Sequence, residues 1–279
     1  MGQIIELRPR LEASYAPTAN IGVVIQARMT SKRFPGKSMA MLDGKPLIQH
    51  VIERCKLIRG PIKVLKPITV VVAVPDAPES EPLLHHVTDK MGVTNFCGSE
   101  DNVLERYMAC ANFFKFDVIM RITADCPLID PQICSEVLQL LMWRKVDYAS
   151  NCHQDRTFPK GLDCEVFTYD CLEYTYVTVK ERYKEVSQLL EGPKLGDFKQ
   201  SQKECLYDME HVTPFMIRTP GIKKALVKCL TGDFSNKDWC VDFPSDIQKI
   251  EKIIGQAKKI MQKKAIIIPA IVSESNVLH

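Results

Sequence analysis

Two runs of almost unbroken apolar residues, Ile21 to Ala27 and Ile68 to Val74, limit what this chain can become, and Asp117 to Ile122 adds a third strand of the same kind. Runs of this length without polar alternation read as strands buried on both faces, the pattern of a parallel sheet covered on each side. Helical periods lie between them. Pro46 is followed by Leu47, Ile48, Val51, Ile52 and Cys55; Glu81 to Met91 reads as a second helix, and Asp101 to Phe114 as a third with Val103, Leu104, Tyr107 and Met108 on one side. A helix from Gln132 to Trp143 follows an Asp130 cap. With a short strand at Val93 to Phe96 the order is βαβαβαβα, and right-handed crossovers then leave an open, mainly parallel twisted α/β sheet with helices on both faces.

The first run ends in Arg28, Lys32, Arg33 and Lys37, with Ser31 and Gly36 among them. Sheets of this class present ligands at the carboxyl ends of their strands, so a polyphosphate is the natural guest and a nucleoside triphosphate the natural molecule. Gly36-Lys37-Ser38 matches the end of a Walker A loop, but Ser31 stands where that motif needs its first glycine. Side-chain cations must therefore do more of the holding. A triphosphate brings a need for a divalent ion, and Mg2+ takes one or two carboxylates together with phosphate oxygens and water. Asp125 lies just past the third strand and Asp242 just past a short strand expected at Trp239 to Val241, so the two acids can converge on one ion. Each also suits a turn or a helix cap, and Asp246 better suits the start of the last helix.

A formal charge of +3 is too small to argue for nucleic acid. Eleven cysteines without a Cys-x-x-Cys pair point to a reduced, cytoplasmic protein with no structural zinc. The apolar stretch Ala265 to Val272 contains Pro269 and falls far short of the ~20 residues of a membrane span. The expected organisation is an extension over 1–20, a main domain over 21–260 and a tail over 261–279. Within the domain, about 147–235 forms a substrate and assembly region: a strand at Cys164 to Thr168, a helix at Asp170 to Leu190 and a polar stretch at Glu191 to Gln202. Pro244 to Lys259 is the last helix, and Trp143 and Trp239 are assigned to packing.

Several blocks, in this order, carry a family resemblance: Gln26-Ala27-Arg28-Met29-Thr30-Ser31-Lys32-Arg33-Phe34-Pro35-Gly36-Lys37, Leu42-Asp43-Gly44-Lys45-Pro46-Leu47, Gly98-Ser99-Glu100-Asp101-Asn102, Arg121-Ile122-Thr123-Ala124-Asp125-Cys126-Pro127, Gly161-Leu162-Asp163-Cys164-Glu165, and Glu210-His211-Val212-Thr213-Pro214. Together they resemble the cytidylyltransferases that make CMP-activated sugars, most of all the spore-coat polysaccharide branch, relatives of the CMP-Kdo and CMP-acylneuraminate synthetases. The resemblance runs with gaps from about Ile21 to Ile254 and implies a nucleotide-diphospho-sugar transferase-like fold, a homodimer, and Mg2+ on Asp125 and Asp242. It implies further that Arg28, Ser31, Arg33 and Lys37 contact the triphosphate, with Arg28, Lys37 and Asp125 catalytic. Gln26, Ala27, Ser99 and Asp101 would hold base and ribose, and Gly161, Asp163, Glu165 and His211 would line the sugar pocket or a subunit contact.

From the residues alone, Gly98 to Asp101 also reads as a loop and helix cap, Arg106 as a surface residue, and Asp163 and Glu165 as neighbours on one strand face. Thr30 and Ala124 depart from the residues usual in the family. The expected reaction is Mg2+-dependent transfer of CMP from CTP to an acidic sugar, Kdo-like or a nonulosonate, releasing pyrophosphate, with no nucleic-acid or membrane partner. The alternatives are a nucleotide-sugar-dependent glycosyltransferase, and a non-catalytic nucleotide-binding or assembly protein of the same fold.

Overall fold

A computed structural model describes residues 15–153, 155–190 and 198–274. Residues 1–14 of the expected extension, 191–197 of the polar stretch and 275–279 of the tail lie outside them. One sheet organises the chain. Its strands are β1 (Ile21–Gln26), β4 (Thr69–Pro75), β5 (Thr94–Gly98), β6 (Val118–Thr123), β7 (Tyr148–Ser150), β8 (Glu165–Thr168) and β9 (Lys224–Leu226), in the order β5-β4-β1-β6-β8-β7-β9. Only β8 runs against the rest, pairing antiparallel with both β6 and β7. Strands β2 (Met41–Leu42) and β3 (Lys45–Pro46) form a separate small hairpin.

The apolar runs bury as expected, and alternate residues of β1 face different cores. Val23 and Ile25 pack with Ile48, Val51 and Ile52 of α1 (Leu47–Cys55), with Leu83 of α2 (Glu81–His85), and with Val137, Leu138 and Leu141 of α4 (Pro131–Arg144). Val24 faces the other way, toward Leu104, Tyr107 and Ala111 of α3 (Val103–Phe114). That second face is also covered by α5 (Tyr169–Leu190), α6 (Phe198–His211) and α7 (Pro214–Arg218). A third small core joins Leu42, Leu47, Leu128, Leu162 and Val241 to Ile250 of α8 (Pro244–Glu274). The Asp130 cap is present, its carboxylate accepting from the amides of Gln132 and Ile133.

Several expectations are corrected. Trp239 to Val241 is not a strand; the segment is held by one bridge between Lys160 and Asp238 and by the Trp239 amide donating to Lys160 O at 2.7 Å. Strands β7 and β9 have three residues each, too few for an alternation to show. Phe198 to Gln202, read as part of a polar stretch, opens α6. The helix expected over Glu81 to Met91 is α2 followed by a wider π-type turn over His86–Lys90. Helix α8 continues past Lys259 to Glu274, and Trp143 is 75% exposed. No described helix is long and apolar enough to cross a membrane.

Gly22 in β1 is the tightest point of the sheet. A Cβ there would lie 2.3 Å from the Phe116 ring, which is itself buried. Gly22→Ala must push that ring into a filled core, and overpacking of this kind costs about 1–3 kcal/mol. Urea unfolding should show a lower midpoint at unchanged slope; an unshifted midpoint would mean the ring has room to move.

Candidate active site

The carboxyl ends of β1 and β6 lie level, Gln26 opposite Thr123, so the loops that follow them meet at one edge. After Gln26 the chain curls back on itself. The Gly36 amide donates to Met29 O at 2.8 Å, Gly36 has a left-handed φ of 73°, and Ser38 Oγ donates to Arg28 O at 3.0 Å. Glycine takes that φ without the steric cost a side chain would meet. The short turn Lys37–Met39 then aims Lys37 inward.

Lys37 Nζ donates to Asp125 Oδ2 at 2.8 Å, to Val241 O at 3.1 Å and to Asp242 Oδ1 at 3.4 Å. Asp125 also accepts from Thr123 Oγ1 at 2.6 Å, and its own carbonyl accepts from the Val241 amide at 2.9 Å. Asp242 takes a second cation, Arg33 Nη2, at 2.7 Å, and a third, Lys160 Nζ, at 3.6 Å. The two acids expected from opposite parts of the chain therefore converge on one point, with ammonium at it. Asp246 has the role read for it: its Oδ2 accepts from the amides of Asp242 and Phe243 at 2.9 Å each, fixing the backbone under Asp242 at the start of α8. Burial alone would raise the Asp125 pKa, but the Lys37 charge and the hydrogen bonds from Lys37 and Thr123 more than reverse this and hold it below the usual carboxylate range.

A cleft of about 760 Å³ opens over this edge, a size usual for small-molecule sites. Gln26, Ala27, Arg28, Ser31, Arg33, Lys37, Asp101, Asp125 and His211 line it, so most of the expected site is brought together. Arg28 and Lys32 are exposed and make no ion pair among the described residues, unlike Lys37 and Arg33. Ser99 does not line the cleft: its Oγ accepts from the Asn102 amide and its carbonyl from Arg106, and the helix cap is Asn102. His211 ends α6 against Tyr207, and burial, reinforced by the charges of Arg121 and Arg28, lowers its pKa. The next residue, Val212, is buried at a φ of 71°, a strained conformation for a β-branched side chain that ends the helix abruptly.

Of the four residues expected at the sugar pocket or a subunit contact, His211 alone lines the cleft. Gly161 and Asp163 precede β8 rather than alternate along it, and neither they nor Glu165 lines the cleft. Glu165 is buried and accepts from Arg121 Nη1 at 2.6 Å and Tyr148 OH at 2.7 Å. Asp163 pairs with Arg156 at 3.1 Å, with burial raising its pKa against that pairing. Gly161 has a φ of 96° and lies against the Trp239 backbone, where a Cβ would come within 2.6 Å of the carbonyl carbon. Its place is to admit the segment that carries Asp242. Residues the sequence reading passed over include Thr123, which ends β6 and bonds Asp125 in the turn that follows, and Arg106, which lines the cleft and is buried rather than on the surface. Arg106 falls three residues after Val103 and four before Cys110, on the apolar stripe of α3, and that spacing is the signal that could have found it.

A family model described as cytidylyltransferase matches residues 22–269. An uncharacterized protein of Methanocaldococcus jannaschii is 29% identical over 201 residues, covering 72% of this chain and 68% of that one. A 3-deoxy-manno-octulosonate cytidylyltransferase of Pelobacter propionicus is 32% identical over 124 residues, 44% of this chain and 45% of its own. A spore coat polysaccharide biosynthesis protein of Bacillus subtilis is 31% identical over 125 residues, 45% of this chain and 51% of its own. The matches thus span 45% and 51% of the length of these last two relatives. The structure of a cytidylyltransferase from Leptospira borgpetersenii superposes with a TM-score of 0.69 at 24% identity, covering 94% of this chain and 100% of that one, and shows the same fold.

Because the folded Asp125 carboxyl is lowered, its pairing with Lys37 contributes stability above about pH 4 that is lost as the pH falls through the lowered value. Lys37→Met leaves the burial and removes the compensation, so the Asp125 pKa should rise and the fold should lose roughly 1–3 kcal/mol at neutral pH. Carboxyl 13C titration of both proteins reads the first effect and denaturant unfolding the second. An unmoved Asp125 titration would show that Lys37 does not set its charge.

Proposed function

The chain belongs to the cytidylyltransferase family, and on that premise we propose that it transfers CMP from CTP to the hydroxyl of an acidic sugar, Kdo-like or a nonulosonate, releasing pyrophosphate. The supporting observation is the pair of acids converging on Lys37 beside a loop whose Arg28 and Lys32 make no ion pair among the described residues. The sugar class is supported by what the Pelobacter propionicus relative is named for, and a role in polysaccharide synthesis by the Bacillus subtilis one.

In this reading the triphosphate lies along the loop from Arg28 to Lys37. Arg28 and Lys32, which are exposed and make no ion pair among the described residues, meet its oxygens with their positive charge. The acceptor hydroxyl oxygen forms a bond to the α-phosphorus and yields its proton to solvent as the bond from that phosphorus to the pyrophosphate oxygen breaks. Arg28 and Lys37 offset the negative charge that collects on the α-phosphate and the leaving group. Mg2+ fits the donor set, since Asp125 and Asp242 are oxygen ligands already gathered on a single cation, and such ions take one or two carboxylates with the rest from phosphate and water. When bound it would neutralise phosphate charge at that point. Thr123 and Asp246 hold the two acids in place for either cation.

The test is pyrophosphate release with Mg2+, each nucleoside triphosphate and a panel of acidic sugars. Release with CTP and one acidic sugar is expected. Asp125→Asn, which nearly preserves shape but gives up the charge that Lys37 pairs with, should lower turnover by roughly 10²-fold or more, with a thermal melt showing the variant still folded at the assay temperature though with a lower midpoint than the parent. Full activity in that variant would remove Asp125 from the reaction, and release with another nucleotide alone would overturn the cytidylyl assignment.

A further inference from the structure

Arg106 is 1% exposed and makes no ion pair among the described residues. Arginine is almost never buried without a partner, because the charge loses water and gains nothing in return. Among the described residues its Nη1 donates to Ser99 O at 3.1 Å and its buried Nε has no acceptor. Burial lowers its pKa, and the charge of Arg28 across the cleft adds to that shift. Room for it is reserved: a Cβ on Gly98, at the end of β5, would sit 3.0 Å from Arg106 Cγ.

The side chain lines the cleft on the same sheet face as Gln26. Val24 points to the α3 core and Gln26, two residues on, shares its face; the residue after Arg106, Tyr107, donates its hydroxyl to Val24 O at 3.2 Å. Gln26 Oε1 is also buried without a donor. The wall away from the phosphate loop therefore offers the guanidinium donors that Ser99 leaves over and one amide oxygen without a donor to whatever enters.

Resting on the CTP reading above, we propose that Arg106 selects the base, its guanidinium donating to the O2 and N3 acceptors of cytosine, with Gln26 meeting the 4-amino group. Uracil carries N3–H where cytosine has an acceptor, so the same fork faces a donor and UTP is disfavoured. A site built to bond a particular group rejects the analogue that leaves its buried donors unpaired.

Calorimetric titration of parent, Arg106→Met and Arg106→Lys with CTP, UTP and inorganic tripolyphosphate tests this, with thermal melts reporting the fold. The parent should bind CTP above UTP. Arg106→Met should weaken CTP roughly tenfold or more, erase the preference over UTP and leave tripolyphosphate unchanged. Lysine keeps the charge without the planar fork, so Arg106→Lys should also hold tripolyphosphate and fail to restore the preference; it carries the test if the methionine variant does not fold. Unchanged CTP affinity, equal losses for CTP and tripolyphosphate, or a lysine variant with parental selectivity would each overturn the assignment. A parent that binds tripolyphosphate but not CTP would instead overturn the nucleotide reading on which it rests.

Discussion

The edge of the sheet is organised around a single ammonium group. Asp125 and Asp242 come from loops that would repel each other if brought together bare, and the Lys37 ammonium between them makes the approach favourable. Its position is prepared at each step: level strand ends, a left-handed glycine that turns the loop inward, and a second glycine, Gly161, that lets the Asp242 segment close in. Asp125 and Lys37 are mostly shielded from solvent, with side chains 25% and 12% exposed, so this contact is worth more than an ordinary surface pair.

The two faces of the sheet divide the work. One side is built from the loop Arg28 to Lys37, whose cations either hold acids or make no ion pair among the described residues. The α3 side is built from a helix whose apolar stripe carries Arg106 inward to the same cleft. His211 and Glu210 enter from α6, which the left-handed Val212 stops at the cleft rim. Strain of this kind costs on the order of 1–3 kcal/mol and persists only where surrounding packing enforces it, as the complete burial of Val212 does here.

Much of this was legible because it rests on long, periodic segments. The runs ending at Ala27, Val74 and Ile122 have to be buried strands, and the helices between them follow from spacing alone. Asp130 could be read as a cap and Asp246 as a helix-start residue because caps act over three or four residues. The region after Val146 was less legible. Strands of three residues carry no period, and the direction of β8 depends on pairing with β6, which no local signal states. Asp163 and Glu165 look alike in sequence, yet Glu165 spends its carboxylate on Arg121 and Tyr148 inside the sheet, while Asp163 meets Arg156 before the strand begins. The convergence of Asp125 and Asp242 was anticipated through strands, but the second is delivered by an extended segment pinned to Lys160, Gly161 and the Asp125 carbonyl.

That pinning sets when the site can exist. Lys37 and Asp242 are separated by 205 positions, and Lys37 and Asp125 by 88. A chain emerging from the ribosome can pair β1 with β6 long before Asp242 is made, but until then Asp125 has only half of its electrostatic setting. Contacts of such long span form last, since the entropy of closing so large a loop has to be met before they contribute anything. The cleft is thus a late product of folding, and its charge pattern is complete only in a molecule whose whole sheet and final helix are already in place.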